Sequence, residues 1–303
     1  MRDVPYDDSV PFPPRTPVRR RPLLAAASLA ALCLATAGCG GGSAGMSPTQ
    51  SPTQSPSASP STSVSAAASG STSGKARPTG PLTGRTVVID PGHNPRNRDH
   101  TRDISRQVDI GTGHKDCDTT GTATNSGYAE AEFTLDVSRR LRTLLEAQGA
   151  KVILTQNGDR PFGPCVDERA RIGNKAGADA VVSVHADGSA VGNRGFHVIL
   201  PARVRGGDAD TAKIVAPSRD LGTRIAGKFV RATGSAPSNY IGDDTGLDTR
   251  GDLGGLNLSS VPKVFIECGN MRDPKDAALL MSADWRQKAA RGIAEGISDH
   301  LAG

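Results

Sequence analysis

At 303 residues the chain is too long for a minimal domain, and with aromatics at 3% amid 36 Gly and 21 Pro its composition is uneven. The net charge of +5 counts the arginines near the start, so it says little about any folded surface. Sparse aromatics and the lack of a basic run beyond that start argue against nucleic-acid recognition.

The unevenness is concentrated at the front. Arg15, Arg19, Arg20 and Arg21 precede an apolar run from Leu23 to Ala35 that is too short to span a bilayer comfortably as a permanent helix. A basic segment, an apolar run and a small-residue exit together predict a secretory signal over residues 1–39. Thr36-Ala37-Gly38-Cys39 resembles the lipobox at which bacterial lipoproteins are cut and acylated, although Thr36 stands where leucine is usual. Ala35-Thr36-Ala37 also suits ordinary signal peptidase. The protein is therefore expected outside the cytoplasm, either lipid-anchored at Cys39, the favoured outcome and its one membrane contact, or released into the wall. Residues 40–80 are mostly small and polar, with the imperfect repeat Ser47-Pro48-Thr49-Gln50-Ser51-Pro52-Thr53-Gln54. They offer little to bury, which predicts a disordered spacer with a root-mean-square span of roughly 35 Å.

The folded part is expected over residues 81–303, within the size range of one domain. Short apolar, β-branched runs predict strands at 86–90, 151–155, 180–184, 195–200 and 263–267. Helical periodicity predicts helices near 129–147, 167–176, 217–233 and 284–301. Their alternation argues for a single α/β domain with a mostly parallel, mixed sheet of about six strands, flanked by helices on both faces. Because the strand at 195–200 follows its predecessor after a short loop, at least one antiparallel pairing is expected.

Chemistry-bearing residues gather at the ends of these strands. Val87-Val88-Ile89-Asp90-Pro91-Gly92-His93 stops an apolar run at a tight turn and presents a histidine beyond it. Val184-His185 and Ile266-Glu267 place a second histidine and a carboxylate at the same kind of position, and Glu130 and Glu132 open the helix that follows the first strand. Parallel strands end on one side of a sheet, so these groups can converge. Two imidazoles and a carboxylate around an open position are the ligand set of a hydrolytic zinc site. Either helix glutamate would equally suit a helix N-terminus. Glu267, by contrast, ends an apolar strand and would be costly to bury unpaired. His197 reads as a structural or supporting hydrogen-bonding residue, and His100, His114 and His300 as surface residues.

Four stretches now stand in register: Val87 to His93, Gly127-Tyr128-Ala129-Glu130, Ser183-Val184-His185-Ala186-Asp187 with Gly195-Phe196 after it, and Val264-Phe265-Ile266-Glu267-Cys268-Gly269-Asn270. In order and spacing, across nearly all of residues 84–302, the chain resembles the zinc-dependent N-acetylmuramoyl-L-alanine amidases of the Amidase_3 family. It looks particularly like the mycobacterial-type secreted amidases without a separate wall-binding module. The resemblance implies one zinc ion held by His93, Glu130 and His185, with Glu267 as the catalytic glutamate. Glu130 is taken over Glu132 because the family's glutamate precedes a helix leucine by five residues, and Leu135 stands there. It further implies hydrolysis of the amide bond between N-acetylmuramic acid and L-alanine, by a monomer whose partner is peptidoglycan or its muropeptides. Substrate-binding residues are not assigned. Asn94 stands where many members carry glycine, a change expected to affect the groove rim.

Two other readings share this chain. A non-catalytic wall-binding or regulatory module would lack a ligand or Glu267, and none is missing; a zinc peptidase cutting within the stem peptide would use the same chemistry on another bond. Residues 94–126 form a long polar loop carrying Cys117, and Cys165 follows in Pro161-Phe162-Gly163-Pro164-Cys165. With Cys33 leaving in the signal, Cys39 at the processing site and Cys268 beside Glu267, Cys117 and Cys165 are the natural disulfide pair of an exported protein. Cys117 as a metal ligand is disfavoured, since the ligand set is already filled.

Overall fold

The computed structural model describes residues 79–303; the signal, Cys39 and nearly all of the spacer lie outside the described residues. Its first strand, β1 (Thr86–Pro91), is buried throughout except at Thr86. The polar loop after it contains a 3-10 turn at Asn97–Asp99, the short helix α1 (Thr101–Ile104) and a hairpin of β2 (Gln107–Asp109) and β3 (His114–Asp116). There follow α2 (Glu130–Ala147), β4 (Lys151–Leu154), α3 (Val166–Ala176) and β5 (Ala180–Asp187). Next come β6 (His197–Pro201), a small hairpin of β7 (Arg205–Gly206) and β8 (Ala209–Asp210), and α4 (Val215–Thr233). Then β9 (Leu247–Arg250) and α5 (Gly254–Asn257) precede β10 (Lys263–Asn270), α6 (Pro274–Met281) and α7 (Ala283–Ala302).

Local chemistry sets several of these boundaries. α3 and α4 stop at Gly177 and Gly234, whose φ values of 56° and 72° lie in the left-handed region that glycine enters without strain. α6 starts at Asp273, whose carboxylate accepts from the backbone N–H of Lys275 and Asp276, with Pro274 in the first turn where its missing N–H costs nothing.

Six strands form one sheet in the order β4-β1-β5-β10-β6-β9. The first four run parallel, β6 is antiparallel to β10, and β9 is parallel to β6. The antiparallel pairing expected of the 195–200 segment therefore exists, but with β10, which sits between β5 and β6. That strand also starts later than expected, because Phe196 bridges to Pro237 instead. β5 and β10 run past their expected ends to Asp187 and Asn270, so His185 and Glu267 lie inside strands, with a register shift after Glu267.

Successive strand residues face opposite sides of the sheet. One side is the main core, where Val87, Ile89, Val182, Val184, Val264 and Ile266 pack against Phe133 and Leu141 of α2, Ile225 and Phe229 of α4, and Ile293 and Ile297 of α7. The other carries only a small apolar cluster around Val88 and Val181, beside Ile172 of α3. Toward the carboxyl ends of β1, β5 and β10 this second side turns polar, with Asp90, Ser183, His185 and Glu267. The alternation that builds the core thus leaves these groups in a row above it.

Candidate metal centre

His93 is aimed by the turn that ends β1. Gly92 donates its N–H to the Val184 carbonyl at 2.9 Å, and a Cβ on Gly92 would lie 2.3 Å from His185 Cε1, so this close approach needs glycine. His93 itself has φ 60°, an unusual conformation for a residue with a side chain. It is held there from both sides: Thr134 Oγ1 donates to the Gly92 carbonyl at 2.6 Å, and Gln156 Nε2 donates to the His93 carbonyl at 2.9 Å.

Glu130, the first residue of α2, is buried between the two imidazoles. Its Oε1 lies 3.3 Å from His93 Nε2 and 3.0 Å from His185 Nδ1, and its Oε2 accepts from the Thr122 N–H at 2.9 Å. The histidine rings stand perpendicular with centroids 5.1 Å apart, and His185 stacks on Phe265. One donor atom from each of His93, Glu130 and His185 lies within 4.8 Å of the others, an arrangement that can hold a metal ion. The electrostatics favour a cation at this point. Burial opposes charge on His93, but Glu130 and Asp118 outweigh it and raise the imidazole to about 10. Burial likewise opposes charge on Glu130, yet His93 and His185 hold its carboxyl well below the usual range. The donor set fits zinc.

Glu267 shares a cleft of about 470 Å³ with these three residues and with Arg250 at the end of β9. Its Oε2 is buried without a hydrogen-bond partner. Burial, then the like charges of Glu130 and Asp187, push its carboxyl well above the ordinary glutamate value. Such a group is poised to take up a proton.

The structure thus brings His93, Glu130, His185 and Glu267 together. Glu132 is half-exposed and faces Arg98 at 3.5 Å, which leaves Glu130 as the inward glutamate. Asn94 is not a rim residue: it is buried, and its Nδ2 donates to the Gly163 carbonyl at 3.0 Å. Cys117 and Cys165 are joined with an S–S distance of 2.09 Å, so neither is a metal ligand, and Cys268 is a buried free thiol. His197 is buried opposite Glu267 on the neighbouring strand, and His300 is largely covered beside Asp220. Three participants carried no local signal: Asp118 in the polar loop, Arg169 in α3 and Lys263 at the start of β10. They meet around Asp90 through contacts between distant segments, which no short stretch of the sequence encodes.

A mostly parallel α/β sheet with a His-Glu-His cluster and a buried carboxylate near its carboxyl edge defines a metal-hydrolase type of site. The chain belongs to the Amidase_3 family, described as N-acetylmuramoyl-L-alanine amidase, whose model matches residues 87–299. It is 43% identical over 222 residues to N-acetylmuramoyl-L-alanine amidase Rv3717 of Mycobacterium tuberculosis, covering 73% of this chain and 88% of that protein. The crystal structure of the N-acetylmuramyl-L-alanine amidase Ami1 from Mycobacterium smegmatis superposes with a TM-score of 0.66 at 40% identity, over 73% of this chain and 98% of that one. More distantly, the chain is 27% identical to the amidase AmiA of Escherichia coli over 244 residues, 72% of this chain and 76% of AmiA.

Proposed function

We propose that the protein is a zinc-dependent N-acetylmuramoyl-L-alanine amidase that cleaves the bond between the lactyl group of N-acetylmuramic acid and L-alanine of the stem peptide. The observation that carries this reading is the convergence of His93, Glu130 and His185 with the unpartnered carboxylate of Glu267 in one open cleft. Membership of the amidase family supports it. When bound, zinc supplies Lewis-acid polarisation of a carbonyl and acidifies water. His93, Glu130 and His185 hold the ion, and the remaining steps belong to Glu267. Its carboxylate takes the proton of the attacking water and returns it to the departing amine, a role served by the upward shift that burial and the neighbouring Glu130 and Asp187 give it. The protein acts outside the cytoplasm as a monomer on peptidoglycan, tethered through Cys39 or released.

Purified protein should be incubated with peptidoglycan, with and without a chelator, and the products read by mass spectrometry. Chelator-sensitive release of peptides beginning at L-alanine, leaving intact glycan with free lactyl groups, is the expected result. Glu267→Gln should keep its zinc and lose turnover by several orders of magnitude; substantial residual activity would sink the role of Glu267. Cleavage inside the peptide would instead make the protein a peptidase, and zinc binding with no release would make it a binding module.

A further inference from the structure

Behind the two candidate metal-ligating histidines lies a charged cluster that nothing in the reaction uses directly. Asp90, Asp118, Arg169 and Lys263 are all at most 6% exposed, two anions and two cations in balance. Arg169 joins the carboxylates: its Nη1 donates to Asp90 Oδ1 and its Nη2 to Asp118 Oδ2, both at 2.8 Å. Its Nε and Nη1 also donate to the Pro164 and Pro91 carbonyls. Lys263 Nζ lies 3.1 Å from Asp90 Oδ2. Buried ion clusters seldom stabilise a protein more than well-packed apolar side chains of the same volume. Stability alone is thus a poor reason for this one.

Its two ends supply a better one. Asp118 Oδ1 lies 3.3 Å from His93 Nδ1, which also faces the Thr119 carbonyl at 3.1 Å, while Asp118 Oδ1 itself accepts from the Thr119 N–H. On the other branch, Ser183 Oγ donates to Asp90 Oδ2 at 2.9 Å and lies 3.2 Å from His185 Nε2. Since the serine proton is committed to Asp90, its oxygen accepts from His185 Nε2–H. Both branches therefore end on the imidazole nitrogen that points away from Glu130. We infer that Asp118 and Ser183, locked together through Arg169 and Asp90, are positioning residues that fix the tautomer and tilt of both metal-ligating histidines. With a metal bound, His93 would present Nε2 and His185 Nδ1 to it as bare donor atoms beside Glu130. Outer partners of this kind typically govern metal affinity by 10- to 100-fold.

This inference rests on the zinc reading above, and its test separates the two. Zinc affinity is measured on the full protein by competition with a chromophoric chelator, and Co2+ spectra are recorded at saturating metal. Asp118→Asn and Ser183→Ala should each weaken zinc binding about tenfold or more and shift the visible Co2+ bands at full occupancy, which a merely structural role would not do. Ser183→Thr, which keeps the hydroxyl, should restore both, and Glu132→Gln, an exposed carboxylate two residues from a ligand, should change neither. Should Asp118→Asn fail to fold, Ser183→Ala alone decides. Folded variants with unaltered zinc affinity and Co2+ spectrum would overturn the inference and leave the zinc reading standing. A parent protein that does not bind zinc would overturn both, and one that binds zinc with the predicted variant effects but cleaves no amide would sustain the positioning role while removing the amidase.

Discussion

Glu267 is held in a state that costs the folded protein something. Its carboxyl has a raised pKa in the fold, first through burial and then through Glu130 and Asp187, so the folded chain binds that proton more tightly than the unfolded chain. Stability from this group is therefore present below the ordinary glutamate value of about 4.3 and is lost as pH rises from there toward the raised folded value. In metal-free protein, Glu267→Gln should melt higher than the parent at pH 7, and the gap should close as pH falls toward about 4; calorimetry across that range checks it, and equal melting temperatures throughout would contradict the burial argument. At this scale the sequence was readable wherever a reactive side chain interrupts an apolar run, as at His93, His185 and Glu267. Asp118 and Arg169 stayed hidden because Arg169 reaches its carboxylates across 51 and 79 residues of chain. Nothing near either residue encodes that meeting.

Elements with a strong period were legible to within a few residues, as α2, α4 and α7 show. β9 was not, because Leu247-Asp248-Thr249-Arg250 has no apolar run and becomes a strand only by lying beside β6. The place of β10 between β5 and β6 was equally invisible, since strand order is decided by long-range packing. Packing also exposes a requirement that periodicity alone does not explain, at the contact between α4 and α7. A Cβ on Gly296 would come within 2.5 Å of Ile225 Cα and one on Gly292 within 2.9 Å of Phe229 Cα, both backbone atoms that cannot swing aside. Gly296→Ala should therefore destabilise by about 1–3 kcal/mol through overpacking, seen as a melting temperature lower by several degrees. Gly227→Ala, with only Arg231 Nη2 at 3.9 Å, should be neutral or gain up to about 1 kcal/mol from helix propensity. Equal effects at the two positions would refute the close-contact account.

For the molecule as a whole, the buried quartet behind the candidate metal centre ties the sheet, α3 and the polar loop into one charge-balanced unit. Burial alone would raise the Asp90 carboxyl, but Lys263 and Arg169 outweigh it and hold it far below the usual range; Asp118 is depressed in the same way, chiefly by Arg169. Depressed carboxyls stabilise the fold fully above the unfolded value of about 3.9, and the contribution is lost as pH falls from there toward the depressed folded values. Asp90→Asn should cost about 3–5 kcal/mol at neutral pH, because it leaves the buried Lys263 without its carboxylate and takes from Arg169 one of its two, and the penalty should shrink as the parent is acidified; denaturant unfolding at pH 7 and pH 3 measures both. Domain class and the convergence of His93, His185 and Glu267 could be read from the strands. The charge pairing could not, because it exists only once the sheet, α3 and the loop have come together. The bond between Cys117 and Cys165 has a topological effect as well. It closes a covalent ring that contains α2 and β4, with Glu130 inside and His93 and His185 outside it. A protease that cuts anywhere between the two cysteines therefore opens a ring without separating a fragment. A nicked molecule stays in one covalent piece until it meets a reductant.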